Sequence, residues 1–203
     1  MRYGGDGMRH FIGIHDDEFI RGNIPMTKSE VRILALAKAR ISPQDVIIDI
    51  GAGTGSLSVE AALLAPAGKV FAIERQPEGA ALIRSNAAKF QADNISVVQA
   101  AAPAALAGLP PCDVVFIGGS GGQFEKIIDV SDQLLKPGGR LVITAVTVET
   151  LAKGLQLMQN KAGYQVEAFC VQISRVNKLA SYNMLQALNP IHIISCNKGG
   201  QDV

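Results

Sequence analysis

Asp49-Ile50-Gly51-Ala52-Gly53-Thr54-Gly55 sets an acid and three alternating glycines within seven residues, and a second acid, Glu74, stands 23 positions beyond Gly51. Glycines so spaced let the backbone turn sharply and let a ligand lie against the main chain without meeting a Cβ. A carboxylate at Glu74 accepts hydrogen bonds from both hydroxyls of a ribose, each worth on the order of 1.5–3 kcal/mol because the acceptor is charged. A dinucleotide would want G-x-G-x-x-G/A, with a small third residue under the pyrophosphate. Ser56 holds that position. A second run, Ile117-Gly118-Gly119-Ser120-Gly121-Gly122, can floor a wide cleft and present backbone amides to an anion.

These residues need a scaffold of βα units. Short β-branched runs predict strands at Val46–Ile50, Lys69–Ile73, Ile95–Gln99, Asp113–Ile117 and Arg140–Thr144. Helical spacing predicts a helix after Pro25, then Ser56–Leu64, Pro77–Phe90, Phe124–Leu135 and Val148–Ala162. Thr27, with Glu30 three residues on, reads as a capping box for the first helix, and Lys136-Pro137-Gly138-Gly139 as a turn. Tyr164–Ile173 and Pro190–Cys196 are two more strands without a helix between them. The sum is an α/β domain, a parallel sheet covered by helices on both faces, closed by an antiparallel pair. Ligands of such sheets sit beyond the carboxyl ends of the strands, where strand order switches. Residues 1–13 are expected as a flexible N-terminal tail and 14–200 as one domain.

Composition narrows the partners. The 203 residues are 48% apolar and 18% charged, with 19 Lys and Arg against 18 Asp and Glu. A near-zero net charge advertises neither nucleic acid nor an anionic membrane. No apolar run approaches the roughly 20 residues that span a bilayer. Cys112, Cys170 and Cys196 are an odd number without a C-x-x-C pair, which argues against a disulfide framework and a cysteine zinc site and fits a reducing cytoplasm. His10, His15 and His192 lack metal-ligand spacing, so no metal is expected. Glycine, 21 residues, is about 10% of the chain where about 7% is usual.

The acid-x-G-x-G-x-G spacing with Glu74 resembles motif I of class I S-adenosylmethionine (SAM) methyltransferases. Three more stretches narrow the resemblance. Ile14-His15-Asp16-Asp17-Glu18-Phe19-Ile20-Arg21 followed by Ile24-Pro25-Met26-Thr27-Lys28-Ser29-Glu30-Val31, the Ile117–Gly122 loop, and the region from Ser181-Tyr182 to Asn189-Pro190 look like the decarboxylating cobalt-precorrin-6B C15-methyltransferases of cobalamin biosynthesis. The likeness runs from about residue 14 to 196. It implies a doubly wound, mostly parallel seven-stranded Rossmann-like sheet with a C-terminal antiparallel hairpin. It also implies SAM-dependent methylation of C15 of a corrin precursor with loss of the ring C acetate carboxyl. A homotetramer and a C5-methyltransferase partner are further implications.

By that resemblance the cofactor contacts are Thr27, Gly51, Ala52, Gly53, Thr54, Gly55, Glu74 and Ala102, with Asp49 beside the ammonium. Ala101 stands where the family has an acid facing the adenine amino group, and Val176 where it often has glycine. A flat polycarboxylate substrate calls for the floor Gly118, Gly119, Ser120, Gly121 and Gly122 and for a basic rim. Arg21, Lys28, Arg175 and Lys178 are the rim candidates, Arg being able to grip a carboxylate bidentately. Met26 is expected to pack beside the cofactor, and Tyr182 to touch substrate or cap the hairpin. No side chain is assigned to proton transfer, because the sulfonium is already electrophilic and alignment is the main task. Two alternatives stand beside this reading: a class I methyltransferase for tRNA or protein, and a non-catalytic SAM-binding subunit, for which Ala101 speaks.

Overall fold

The β-branched runs form the strands expected of them, and the glycines take the turns between. A computed structural model describes residues 12–199 of the chain. The expected tail and His10 lie outside these residues, except that Gly13 is tied down, its N–H donating to Glu60 at 2.8 Å.

Strand β1 is Val46–Ile50, β2 Lys69–Ile73, β3 Ile95–Val98, β4 Cys112–Ile117, β5 Leu135–Ala145, β6 Tyr164–Val171, β7 Ser174–Leu179, β8 Tyr182–Ala187 and β9 Ile191–Lys198. Seven of them make one sheet in the order β3-β2-β1-β4-β5-β9-β6. The first five run parallel, and β9 inserts antiparallel between β5 and β6. The expected seven-stranded, mostly parallel sheet is therefore present. The turn at 136–139 sits inside β5: Leu135 pairs with Cys112 and Arg140 with Val114, so four residues loop out of the ladder, with Gly138 at φ +76.

Two strands escaped the sequence. β7 and β8 form their own hairpin, apart from the main sheet, and every residue of both is exposed. With neither face buried, no hydrophobic alternation marks them.

The helices are α1 Ser29–Ala39, α2 Ser56–Leu64, α3 Pro77–Lys89, α4 Phe124–Leu134 and α5 Val148–Gln159. Strand side chains alternate between faces. Ile47, Val70, Val114, Phe116 and Val142 pack under α1 and α2, while Ile48, Ile50, Val115, Ile117 and Ile143 pack under α4 and α5. Each fully buried Ile or Val contributes about 1.5–3 kcal/mol. The capping box at Thr27 does not form. Lys28 is the N-cap of α1 without a side-chain bond, because Thr27 belongs to an extended segment whose carbonyl is taken by Arg32.

Candidate active site

Strand order reverses at β1, since the chain steps outward through β2 and β3 and then returns to β4 on the other side. Loops leaving β1 and β4 therefore diverge, as open α/β sheets require at a switch point, and a cavity of about 640 Å³ opens there. Gly51 and Ala52 N–H groups donate to the Ile73 carbonyl (2.9 and 3.1 Å), and Gly118 and Gly119 N–H groups to the Ile50 carbonyl (2.9 and 3.3 Å), pinning both glycine loops to the sheet. Gly51 is at φ +74, and a Cβ there would stand 2.7 Å from Gly119 N; at Gly53, φ +58, it would stand 3.0 Å from the Pro25 carbonyl. Only residues without a Cβ bring these three backbones so close.

Glu74 is aimed by backbone amides. One oxygen accepts from Gly53 N–H at 3.0 Å and the other from Gln76 N–H at 2.8 Å, and each oxygen keeps a lone pair for a ligand. Gly79 lets α3 close on it, since a Cβ at Gly79 would lie 2.7 Å from Glu74 Cγ. Asp49, expected beside the ammonium, is turned elsewhere. Its side chain accepts from Ser58 Oγ at 2.5 Å, is buried, and is not part of the cavity wall. Burial pushes its carboxyl up from 3.8 to about 6, opposed by the Ser58 hydrogen bond and reinforced by the charge of Glu74.

The segment before α1 forms one wall of the cavity, with Ile24, Pro25, Met26, Thr27 and Lys28 facing it. Two buried side chains hold that wall. Arg32, wholly buried, donates from Nε to Glu60 (2.8 Å), from Nη1 to Asp16 (2.8 Å) and the Thr27 carbonyl (2.6 Å), and from Nη2 to the Ile14 carbonyl (2.5 Å). Asn86 accepts from Ile20 N–H at 2.7 Å and donates to the carbonyls of Ile20 (3.0 Å) and Thr54 (2.9 Å). Asn86 thereby ties the entry segment to the β1 glycine loop through one amide.

Of the residues expected here, Thr27, Lys28, Gly51, Ala52, Gly53, Glu74, Ala102, Gly118, Gly119, Ser120 and Gly121 line the cavity together with Met26 and Ala101. Thr54, Gly55 and Gly122 do not: Thr54 is buried behind the loop and Gly55 caps α2. The rim is sparser than expected. Arg21 is exposed outside the wall, Arg175 pairs with Glu30 at 2.9 Å, and Lys178 is exposed on β7; none lines the cavity. Tyr182 opens β8 with 73% exposure. Arg75, Gln76, Gln123, Thr144, Val146 and Ile191 also line the cavity, as do Val31, Ile50, Ile73 and Ala100. Arg75 and Gln76 follow directly on Glu74, so their place after a strand end was the signal that could have found them.

Lys28, Glu74 and Arg75 are the ionisable side chains of the wall. His15 is exposed and His192 lies in β9 away from the wall. Among the described residues no His, Cys, Asp and Glu cluster could hold a metal ion. Among the described residues of the wall, no hydroxyl is hydrogen-bonded to a neighbouring base, so the wall is built to hold and align ligands.

A family model described as a precorrin methyltransferase domain matches residues 18–198. A cobalt-precorrin-6B C(15)-methyltransferase (decarboxylating) of Salmonella typhimurium is 39% identical over 184 residues, covering 90% of this chain and 95% of that protein. Among solved structures, a precorrin-6Y C5,15-methyltransferase from Geobacter metallireducens superposes with a TM-score of 0.86 at 45% identity, covering 92% of this chain and 97% of that one. A precorrin 8W decarboxylase from Methanobacterium thermoautotrophicum superposes with a TM-score of 0.84 at 33% identity, over 90% and 98% of the two chains. With that extent of likeness in sequence and in fold, the chain belongs to the precorrin methyltransferase family.

Proposed function

We propose that this chain is a SAM-dependent C-methyltransferase that methylates C15 of a corrin precursor of the cobalt-precorrin-6B or precorrin-6Y type and releases the ring C acetate carboxyl as carbon dioxide. The observation that carries this reading is the joining, in one cavity, of an amide-aimed Glu74 to an open wall of glycines after β4. SAM supplies an electrophilic methyl group on a sulfonium. The residues fit it. Glu74 would offer its free lone pairs to the ribose hydroxyls, and the Gly51–Gly53 backbone would let the amino-acid end lie close to it. Ala100, Ala101 and Ala102 give the adenine an apolar wall. Asp49 acts from behind that loop, through its charge, and not by contact.

Gly118, Gly119, Ser120 and Gly121 leave room for a flat macrocycle opposite the cofactor, and Lys28 stands at the rim. The protein's part in catalysis is to hold the two ligands at near-attack distance. The ring system provides the nucleophilic carbon and accepts the electron pair released when the carboxylate leaves. An apolar wall of Ile24, Pro25, Met26 and Ile191 strips water from that carboxylate.

On the same reading the chain forms a homotetramer through β7 and β8, where Val176, Leu179, Tyr182 and Leu185 are each more than 60% exposed, and a C5-methyltransferase is its partner. The three cysteines are free, in keeping with a reducing cytoplasm, and no helix among the described residues is long and apolar enough to cross a membrane. Incubation with methyl-labelled SAM and cobalt-precorrin-6B tests the activity. One methyl gained and one carbon dioxide released per substrate is the expected result. SAM binding without turnover would support a non-catalytic subunit instead.

A further inference from the structure

A polycarboxylate substrate needs cations at the cavity, and the structure supplies one that the sequence did not single out. Arg75 follows Glu74 at the tip of β2 and lines the cavity. Its Nη1 lies 3.2 Å from the point a Cβ on Gly121 would occupy, so the guanidinium reaches from the β2 end across to the glycine loop after β4. No hydrogen bond or ion pair engages that guanidinium among the described residues, and the loop beneath it, Gly118 to Gly122, carries no carboxylate. The other cations are elsewhere or engaged: Arg175 is paired with Glu30, Arg32 is buried between Asp16 and Glu60, and Lys28 leans toward Asp16 at 3.9 Å.

We propose that Arg75 is a specificity-determining residue that grips a peripheral carboxylate of the tetrapyrrole over the Gly118–Gly121 floor. This rests on the function proposed above. A guanidinium presents its donors in a planar fork that matches a carboxylate with two parallel bonds. Gly121, at φ +54, offers no side chain to fill the space under the fork. The carboxylate it takes is one the substrate retains. A cation on the departing carboxylate would stabilise charge in the ground state that disperses as carbon dioxide leaves, and would slow that step. Arg75 therefore acts on substrate affinity, with little effect on the rate of the bound complex.

The test uses Arg75→Ala and Arg75→Lys in the full chain, loaded with S-adenosylhomocysteine. Calorimetry first gives the affinity for that cofactor product. Titration then compares a free-acid corrin with its fully methyl-esterified form. Expected for Arg75→Ala are cofactor affinity within twofold of wild type, free-acid affinity down at least about tenfold, and ester affinity unchanged, with Arg75→Lys between. With cobalt-precorrin-6B the loss falls on KM, and kcat stays within about threefold. Equal losses for acid and ester would overturn the proposal, as would a loss confined to cofactor affinity, which would put Arg75 against the adenine. If wild type does not turn over cobalt-precorrin-6B but the acid-against-ester contrast depends on Arg75, the proposed reaction fails and the carboxylate grip stands. If wild type turns over and Arg75→Ala keeps its KM, only the grip fails.

Discussion

Asp49→Asn should make the protein more stable at pH 8 and less stable at pH 4. Asp49 lies at the centre of the sheet, paired with Ala72 on one side and Phe116 on the other, and is 2% exposed. Its carboxyl sits at about 6 in the folded chain against 3.8 in the free side chain. A raised pKa means that the folded state binds the proton more tightly, by roughly 3 kcal/mol for this difference. That stability is present in full below pH 3.8, is lost as pH rises toward about 6, and stays lost above. Asparagine carries no charge and keeps an oxygen for Ser58 Oγ, but its buried amide donors lack partners, at a cost of about 1 kcal/mol. The variant should therefore gain about 2 kcal/mol over wild type at pH 8 and lose about 0.5 kcal/mol at pH 4, where wild type has already given up part of its proton-linked stability. Urea unfolding of both proteins at pH 4, 5, 6 and 8 measures the gap. A gap that does not change with pH would refute the reasoning, and so would a variant less stable than wild type at pH 8. The charge also bears on the cofactor. A cationic ligand over the loop favours ionised Asp49, so SAM affinity should rise between pH 5 and 7 in wild type more than in the variant.

Glu74→Ala removes both proposed ribose bonds and should weaken SAM binding by at least about tenfold in calorimetry; an unchanged affinity would place the ribose elsewhere. Arg32→Met leaves Asp16 and Glu60 buried without their partner and should cost about 3–5 kcal/mol in denaturant unfolding, with faster hydrogen exchange across residues 14–28 in whatever fraction folds. Replacing exposed Val176 and Leu185 with Ser should leave the fold intact by circular dichroism and, by analytical ultracentrifugation, convert the proposed tetramer to a smaller species.

The parallel sheet was legible because burial writes itself into the chain. Ile47 to Ile50, Val114 to Ile117 and Leu141 to Ile143 are covered on both faces, so each strand is a near-continuous apolar run that glycine then interrupts. β7 and β8 have no such cover. Their sequence, from Ser174 to Ala187, mixes Asn, Lys and Gln with Val, Leu and Met on both faces, and main-chain pairing across the Ala180 turn, at φ +53, with a side-chain bond from Asn177 to Gln186, defines them. The same blindness explains the missing capping box. Thr27 and Glu30 have the right spacing, but Arg32 takes the Thr27 carbonyl and Glu30 faces Arg175, 145 residues away.

The site divides along the same line. Gly51, Gly53 and Glu74 line the cavity where the motif predicts, because backbone geometry and position at strand ends are encoded locally. Asp49, Arg21, Arg175 and Lys178 do not line it, because where a charged side chain turns depends on what the fold brings near it. Asp49 sits in the motif yet faces Ser58 across the strand–helix turn, while Arg175 and Lys178, chosen for their charge, sit on a hairpin and are not among the residues lining the cavity. Arg75 carries no motif beyond following Glu74, and it reaches the cavity because β2 and β4 flank β1 in space, though their tips, Ile73 and Ile117, are 44 residues apart in sequence. A near-neutral chain can therefore still serve an anionic substrate. What matters is a cation left without a partner at the one place where the loops open, and the order of the strands, which the periodicity of any one of them does not record, decides which cation that is.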